Sequence, residues 1–465
     1  MASHPAKKQN SKRARVLLIV QGLGIGGTER TAATYASLYA RIGCDVTVYG
    51  IYSGGPIQAM LEVEGICAVS GFPAIRDLLS AVKIHEYDLI HVNAGGPCDP
   101  VVDTILSALK GPSTRVIQTN VFARSDYGPP SNLVDLELLI SFAGHWKWST
   151  HSRSSQRKRP AAVLPNLVPE ERFYLPSLEQ QSAARKHLGV PVDVPVFGRI
   201  GQPSMNKWDP RLVEVCVSIV KQIANAHFVF VGCPPTLKAR LERKIRLRNK
   251  ISFFPPSASD QELQLAYSAM DVFLHLSRIG ESFGLVLVEA AQTGLPIATL
   301  ATPLKDDAQG EIVRRMHAGA EAWTTKRLAS LAIQLAGQAR ADNSLRCRIS
   351  LQANRCFGAG FQIESFETFF NEVMSLDANK LASRAFCNAT DQQSGSCLVK
   401  HAETMRLERQ AEVLRRRGIL YWLAFQILYL PRVYRFYRKL QERRYLARQR
   451  ERASEIRRLL APLLA

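Results

Sequence analysis

The sequence predicts an α/β protein of two lobes, each built on a doubly wound parallel sheet. Three observations carry this expectation. A chain of 465 residues exceeds one comfortable core. Short apolar runs rich in Val, Ile, Leu and Phe, as in strands buried on both faces, alternate with stretches of helical period. The same unit, a strand followed by a polar or glycine-rich loop and a helix, opens near Val16 and again near Val194, which is the turn where α/β sheets take their ligands.

Residues 1–14 read as a disordered basic tail and 15–176 as the first lobe. Residues 16–20 form a buried strand and 21–30 a glycine loop. Tyr35, Leu38, Tyr39 and Ile42 then line one face of a helix that Gly43 stops, and 46–49 is the next strand. Gly22, Gly24 and Gly27 fit G-x-G-x-x-G, the dinucleotide fingerprint. The fingerprint also needs an acid after the second strand, where Gly50-Ile51-Tyr52-Ser53 has none. An NAD(P)-dependent Rossmann oxidoreductase stays an alternative, as does a turn that needs glycine for backbone reasons alone. Further strands are predicted at 89–92, 115–118 and 138–140. His145-Trp146-Lys147-Trp148, followed by Arg153, Arg157, Lys158 and Arg159, reads as an interfacial surface or as a solvated basic loop. Residues 177–193 are a linker, with a short helix expected at 183–188.

The second lobe spans 194–360. Its first strand ends at Arg199, and Asp209 is read as the N-cap of the next helix, with Pro210 in the first turn. Arg199 and Lys207 therefore flank a crossing at the carboxyl end of the sheet. Strands follow at 228–231 and 251–254, and Asp260 is read as capping a helix through Leu263 and Tyr267. Next come a strand at 270–276, a polar loop at 277–284, and a helix stopped by Gly294 and Pro296. A strand entering a helix presents free N–H groups and partial positive charge, which suits a phosphate. Glu281 and Glu289 bracket that helix start. At ~1.5 Å per residue they lie at most about 12 Å apart. That exceeds the carboxylate spacing of about 5–9.5 Å in glycoside hydrolases, but lets both touch one elongated ligand. The plainer reading is a loop charge and a solvated helix residue. An aromatic-rich crossover helix at 361–378 and a basic amphipathic extension at 400–465 complete the chain.

Net charge is +20. From His401 onward 16 Arg or Lys stand against 6 Glu, a balance that implies an anionic partner. Arg415-Arg416-Arg417 precedes an apolar run at 418–430, and Arg432, Arg435, Arg438 and Lys439 follow. The segment 415–439 reads as an in-plane anchor on an anionic membrane surface, or as a helical hairpin packed on protein. Nucleic acid is unlikely, because the aromatics are grouped with aliphatics. The nine cysteines lack C-x-x-C spacing, the N-terminus lacks an apolar signal core, and no run reaches a membrane span. The expected location is the cytoplasm, or peripheral on the inner face of its membrane.

Glu281 and Glu289 make an E-x7-E pattern with Phe283-Gly284 inside it and Gly294-Leu295-Pro296 behind it. Over residues 16–376 the chain resembles the retaining family-4 glycosyltransferases, whose fold is GT-B. The resemblance implies transfer of a sugar from a nucleotide-diphosphate-sugar, with that donor as a substrate and no cofactor or metal. A lipid-linked or surface-polysaccharide glycan as acceptor is suggested only by the basic tail, which lies outside the resemblance. The resemblance puts Glu281 at the donor sugar, Glu289 on the ribose, Arg199 and Lys207 on the diphosphate, and Phe283, Gly284 and Leu285 beside the donor. Gly26 and Gly27 correspond to the family's glycine loop. Asn120 stands where the family usually has His on the acceptor side, and Arg124 is the neighbouring candidate for an anionic acceptor. Trp208 replaces a frequent Gly, and 302–307 lacks the usual glycine pair. A degenerate transferase fold serving as a membrane-bound scaffold is the remaining alternative.

Overall fold

The computed structural model describes residues 13–84, 86–95, 99–124, 133–152, 160–257, 259–375 and 396–464. Residues 1–12 of the basic tail, Arg153, Arg157, Lys158 and Arg159, and the end of the crossover segment at 376–378 lie outside the described residues. The first lobe is a seven-stranded parallel sheet of β1 (Arg15–Val20), β2 (Asp45–Gly50), β3 (Cys67–Ser70), β4 (Leu89–Ala94), β5 (Arg115–Asn120), β6 (Leu136–Leu139) and β7 (Ala161–Val163), ordered β3-β2-β1-β4-β5-β6-β7. The second is a six-stranded parallel sheet of β8 (Val196–Ile200), β9 (His227–Val231), β10 (Ile251–Phe254), β11 (Val272–His275), β12 (Ile297–Leu300) and β13 (Gly319–Ala322), ordered β10-β9-β8-β11-β12-β13. The strand order reverses between β1 and β4 and between β8 and β11. Each reversal opens a crevice at the carboxyl ends of the strands.

The central strands follow their apolar runs: Val16 to Ile19, Phe228 to Phe230 and Val272 to Leu274 are fully buried. β3, β7 and β13 were not apparent in the sequence. They are edge strands of only three or four residues. The linker helix runs Leu178–His187 and starts earlier than its period suggested, because Ser177 and Gln180 form a capping box. The crossover helix Ile363–Ser375 returns Phe366, Phe369, Phe370 and Val373 to the first lobe's core, with Phe366 4.9 Å from the ring of Tyr39.

Three C-terminal helices, Ser396–Arg417, Ile419–Leu428 and Pro431–Leu464, lie over both lobes. The last inserts Ala453, Ile456 and Leu460 into the first lobe's core. Phe425 and Tyr429 stack on Trp146 with ring centroids 5.9 and 4.6 Å away. This corrects the interfacial reading of 145–148. Trp146 belongs to the helix Phe142–Ser152 and is covered by the extension, while Lys147 pairs with Asp306 at 2.5 Å. Among the described residues no helix is long and apolar enough to cross a membrane.

Candidate functional site

At the carboxyl end of the second sheet, β8 delivers Arg199, the following loop Lys207, β11 His275, and the next loop Glu281. Lys207 Nζ donates to Glu281 Oε2 at 2.6 Å, with the lysine side chain one-third exposed and the carboxylate buried. Burial would raise the Glu281 pKa, but the Lys207 ammonium and the adjoining His275 ring hold it at about 2. His275 is driven down to about 4 by burial. Its Nδ1 meets Thr299 Oγ1 at 2.9 Å, while Nε2 stands 3.5 Å from Glu281 and has no hydrogen-bond partner. At neutral pH that approach joins a carboxylate to a neutral ring. Gly280 (φ +74) can only be glycine here, since a Cβ would lie 1.5 Å from Asp306 O.

Arg199 departs from the expected open, bidentate fork. It is 1% exposed, with its guanidinium 5.0 Å over the Trp208 ring, and it donates to the Leu274 and Lys207 carbonyls. Burial lowers its pKa to about 10, and Nε has no partner. Its charge thus sits behind Lys207, held there by Trp208. Trp208 Nε1 donates to Gln202 O at 3.0 Å. The next helix begins at Leu212; Asp209 caps the Arg211 amide instead and binds the Arg211 side chain.

The helix Leu285–Gln292 starts at Gly284, whose left-handed conformation (φ +93) favours glycine. Phe283 is a core residue, packed edge-on to Phe357 at 5.3 Å, so only its backbone can meet a ligand. Leu285 reaches the first lobe: a Cβ on Gly27 would lie 3.5 Å from its Cδ1. The helix Gly27–Arg41, capped by extended Gly26, therefore opens against the helix of Glu289. Glu289 is buried, its pKa raised by burial against the opposing pull of Arg172 and Arg30, and it accepts from Tyr267 Oη at 2.9 Å.

Asn120 and Arg124, expected on the acceptor side, are both engaged within the first lobe. Asn120 Nδ2 donates to Glu137 Oε1 at 2.6 Å and to Arg124 O at 2.8 Å, and its Oδ1 accepts from Arg124 N at 3.0 Å. The side chain is thus held between β6 and its own loop. Arg124 lies 4.7 Å over the Phe122 ring.

Several site residues were not found from sequence. Asp260, expected as an N-cap, is the first helical residue behind Ser259. It binds Arg30 of the first lobe at 2.6 Å and Arg172 at 2.7 Å. Glu311 accepts from the Phe142 and Ala143 amides at 3.0 and 2.9 Å, and Ser141 Oγ donates to Ser282 O at 2.9 Å, so both join the lobes. These partners are far apart in sequence, and no local pattern reports them. A cavity of about 520 Å³ beside the Ser396–Arg417 helix mixes the carboxylates of Asp307, Glu311, Glu408 and Glu412 with the guanidinium groups of Arg314, Arg409 and Arg415.

Residues 194–335 match the family model described as "Glycosyl transferases group 1". The D-inositol 3-phosphate glycosyltransferase of Nocardia farcinica is 26% identical over 148 residues, 29% of this chain and 32% of that protein. The chain thus spans about a third of the length of the curated relatives it matches. HepE of Anabaena, solved with UDP and glucose, superposes with a TM-score of 0.61 at 18% identity, covering 77% of this chain and 100% of that one. A glycosyltransferase of Rickettsia africae gives 0.62 at 15% identity, covering 78% and 99%. The fold is GT-B.

Proposed function

We propose that the chain is a glycosyltransferase that moves a sugar from a nucleotide-diphosphate-sugar to an acceptor, with retention and without a metal ion. The observation that carries this is the meeting of two helix N-termini, Gly27 against Leu285, beside the Lys207–Glu281 pair. Transfer leaves negative charge on the departing diphosphate. Backbone amides at 283–285, the Lys207 ammonium and the Arg199 charge behind it supply fixed positive potential there. Glu281, ionised and buried, orients donor-sugar hydroxyls, and Glu289 takes the ribose. The match of the second lobe to group 1 transferases and the UDP and glucose named for HepE support this class of donor.

The oxidoreductase alternative is not favoured. Tyr52, just past β2 where a dinucleotide fingerprint needs its acid, donates to Gln449 Oε1 at 2.8 Å and lies under Arg452 at 4.7 Å. The C-terminal helix therefore packs at that strand end.

The acceptor belongs to the same reading: a lipid-linked or surface-polysaccharide glycan met at an anionic membrane surface, inside the cell. The helix Ile419–Leu428 is apolar on two faces. Phe425 and Tyr429 pack inward, while Leu420, Leu423, Ile427 and Leu430 form an outward stripe at three- and four-residue spacing, with Leu420 80% exposed. Residues 413–441 contain seven Arg or Lys and no acid, so the flanks complement anionic headgroups.

Titration of the full chain with UDP and UDP-glucose, followed by assay of UDP release with and without EDTA, tests the donor reading. Binding near 10–100 μM would raise thermal stability by about 1–3 kcal/mol at millimolar ligand, whereas no stabilisation by any nucleoside diphosphate or its sugars defeats it. NMR of the product's anomeric configuration tests retention. Sedimentation with phosphatidylglycerol vesicles, weakened in Leu420→Glu/Ile427→Glu, tests the surface. Dimerisation through the stripe without vesicle binding would contradict it.

A further inference from the structure

We propose that Arg409, in the C-terminal extension and outside the family-matched segment, is a positioning residue for the Glu281 loop. Arg409 is 12% exposed and binds two buried carboxylates of the second lobe. Its Nε donates to Asp307 Oδ2 at 2.8 Å, and Nη1 and Nη2 donate to Glu321 at 2.6 and 3.0 Å. Glu412 accepts from Nη1 at 3.0 Å, and the Trp323 ring lies 4.5 Å beneath the guanidinium.

Asp307 passes this fixation inward. Its Oδ1 accepts from Thr302 N at 2.8 Å and from Gln309 Nε2 at 3.0 Å. Gln309 is fully buried and turns its Oε1 to the Glu281 amide at 3.2 Å, while Ala308 N donates to Glu281 O at 2.9 Å. Both backbone groups of Glu281 are thus held by the turn that Asp307 anchors. The 302–307 turn lacks the glycine pair usual in the family it resembles. It is instead braced by side chains, and its outer brace comes from Arg409. A guanidinium suits this role because its planar fork serves two carboxylates at once, which an ammonium does not.

This inference rests on the transferase reading only in giving Glu281 a task; the coupling itself is testable without a donor. Hydrogen exchange of the full-length protein is measured for native, Arg409→Gln, Gln309→Ala and the double variant. Exchange at 279–284 should rise about tenfold in each single variant, since local opening governs it. Exchange in β8 should stay unchanged. The double variant should exceed neither single one by much, because both act along one chain of contacts. A residue that merely fastened its own helix would loosen the Ser396–Arg417 helix and leave 279–284 protected, and that result overturns the proposal. Should Arg409→Gln fail to fold, Gln309→Ala decides alone: unchanged protection at 279–284 overturns it. In the same preparations, the affinity for UDP-glucose should fall more than that for UDP. If native protein binds neither, the donor reading fails and the exchange result still stands or falls by itself.

Discussion

Asn120 and Glu281 are both buried polar residues at the carboxyl edge of a parallel sheet, one in each lobe, and they are held in opposite ways. Every polar atom of Asn120 is spent on Glu137 and the Arg124 backbone. Around Glu281, Arg199 Nε and His275 Nε2 are without partners, and Lys207 is one-third exposed. Buried polar groups are normally satisfied, so spare capacity beside a charged pair suits a ligand; Asn93, at the carboxyl end of β4, also leaves both amide atoms without a partner. The Asn120 loop is closed on itself, whereas the Glu281 loop keeps spare capacity beside a half-buried cation. This contrast supports the proposal that the charge chemistry belongs to the second lobe.

The largest test of that contrast is Lys207→Ala. It removes the cation proposed to meet the departing phosphate and leaves Glu281 buried without its counter-ion. Turnover should fall by about 10²–10³, and stability by about 3 kcal/mol, read by donor turnover and by urea denaturation. A folded variant with native turnover would remove Lys207 from the chemistry.

Next in size is the pH dependence of stability. Glu281 is held at about 2 in the fold against an ordinary 4.5. Its contribution is therefore complete above 4.5 and is lost as pH falls toward 2, amounting to about 3 kcal/mol. His275 works in a different window. Burial lowers it from 6.5 to about 4, so the unfolded chain takes up its proton first and stability falls as pH drops from 6.5 toward 4. Denaturant midpoints of Glu281→Gln between pH 2 and 7 should flatten only the lower window. An unchanged slope below 4.5 would show that Lys207 does not hold the carboxylate ionised.

How much of this was legible follows from the range of each contact. Central strands such as β1 and β11 were visible because a doubly covered strand must be apolar throughout. Lys207, Glu281 and Glu289 stood out through the resemblance of their strand, loop and helix to a known family; spacing alone favoured plain surface charges. Arg172, Asp260 and Arg30 were not, because the bridge across the lobes joins residues 230 apart in sequence. Trp146 misled for a related reason. A Trp beside lysine looks the same in sequence whether lipid, water or Tyr429 covers it, and only the packing distinguishes them. The helix Ile419–Leu428 was read two ways, as anchor and as hairpin, and its inner face is packed on protein while its outer face is open.

The smallest effect on transfer, and the sharpest use of the contrast, belongs to Asn120. In Asn120→Ala the Arg124 amide loses its acceptor and Glu137 keeps Gln118 Nε2 at 3.3 Å. Stability should drop by about 1–3 kcal/mol. Turnover on UDP-sugar should stay within about threefold, because the lost bonds are internal to the first lobe. Asn120→Asp should be worse for stability than Asn120→Ala, since it sets a second carboxylate 2.6 Å from Glu137 Oε1. Its turnover should follow the folded fraction. If Asn120→Ala folded normally and lost transfer a hundredfold, Asn120 would belong to the acceptor site after all, and the division of labour between the lobes would have to be redrawn with chemistry on both sides of the crevice.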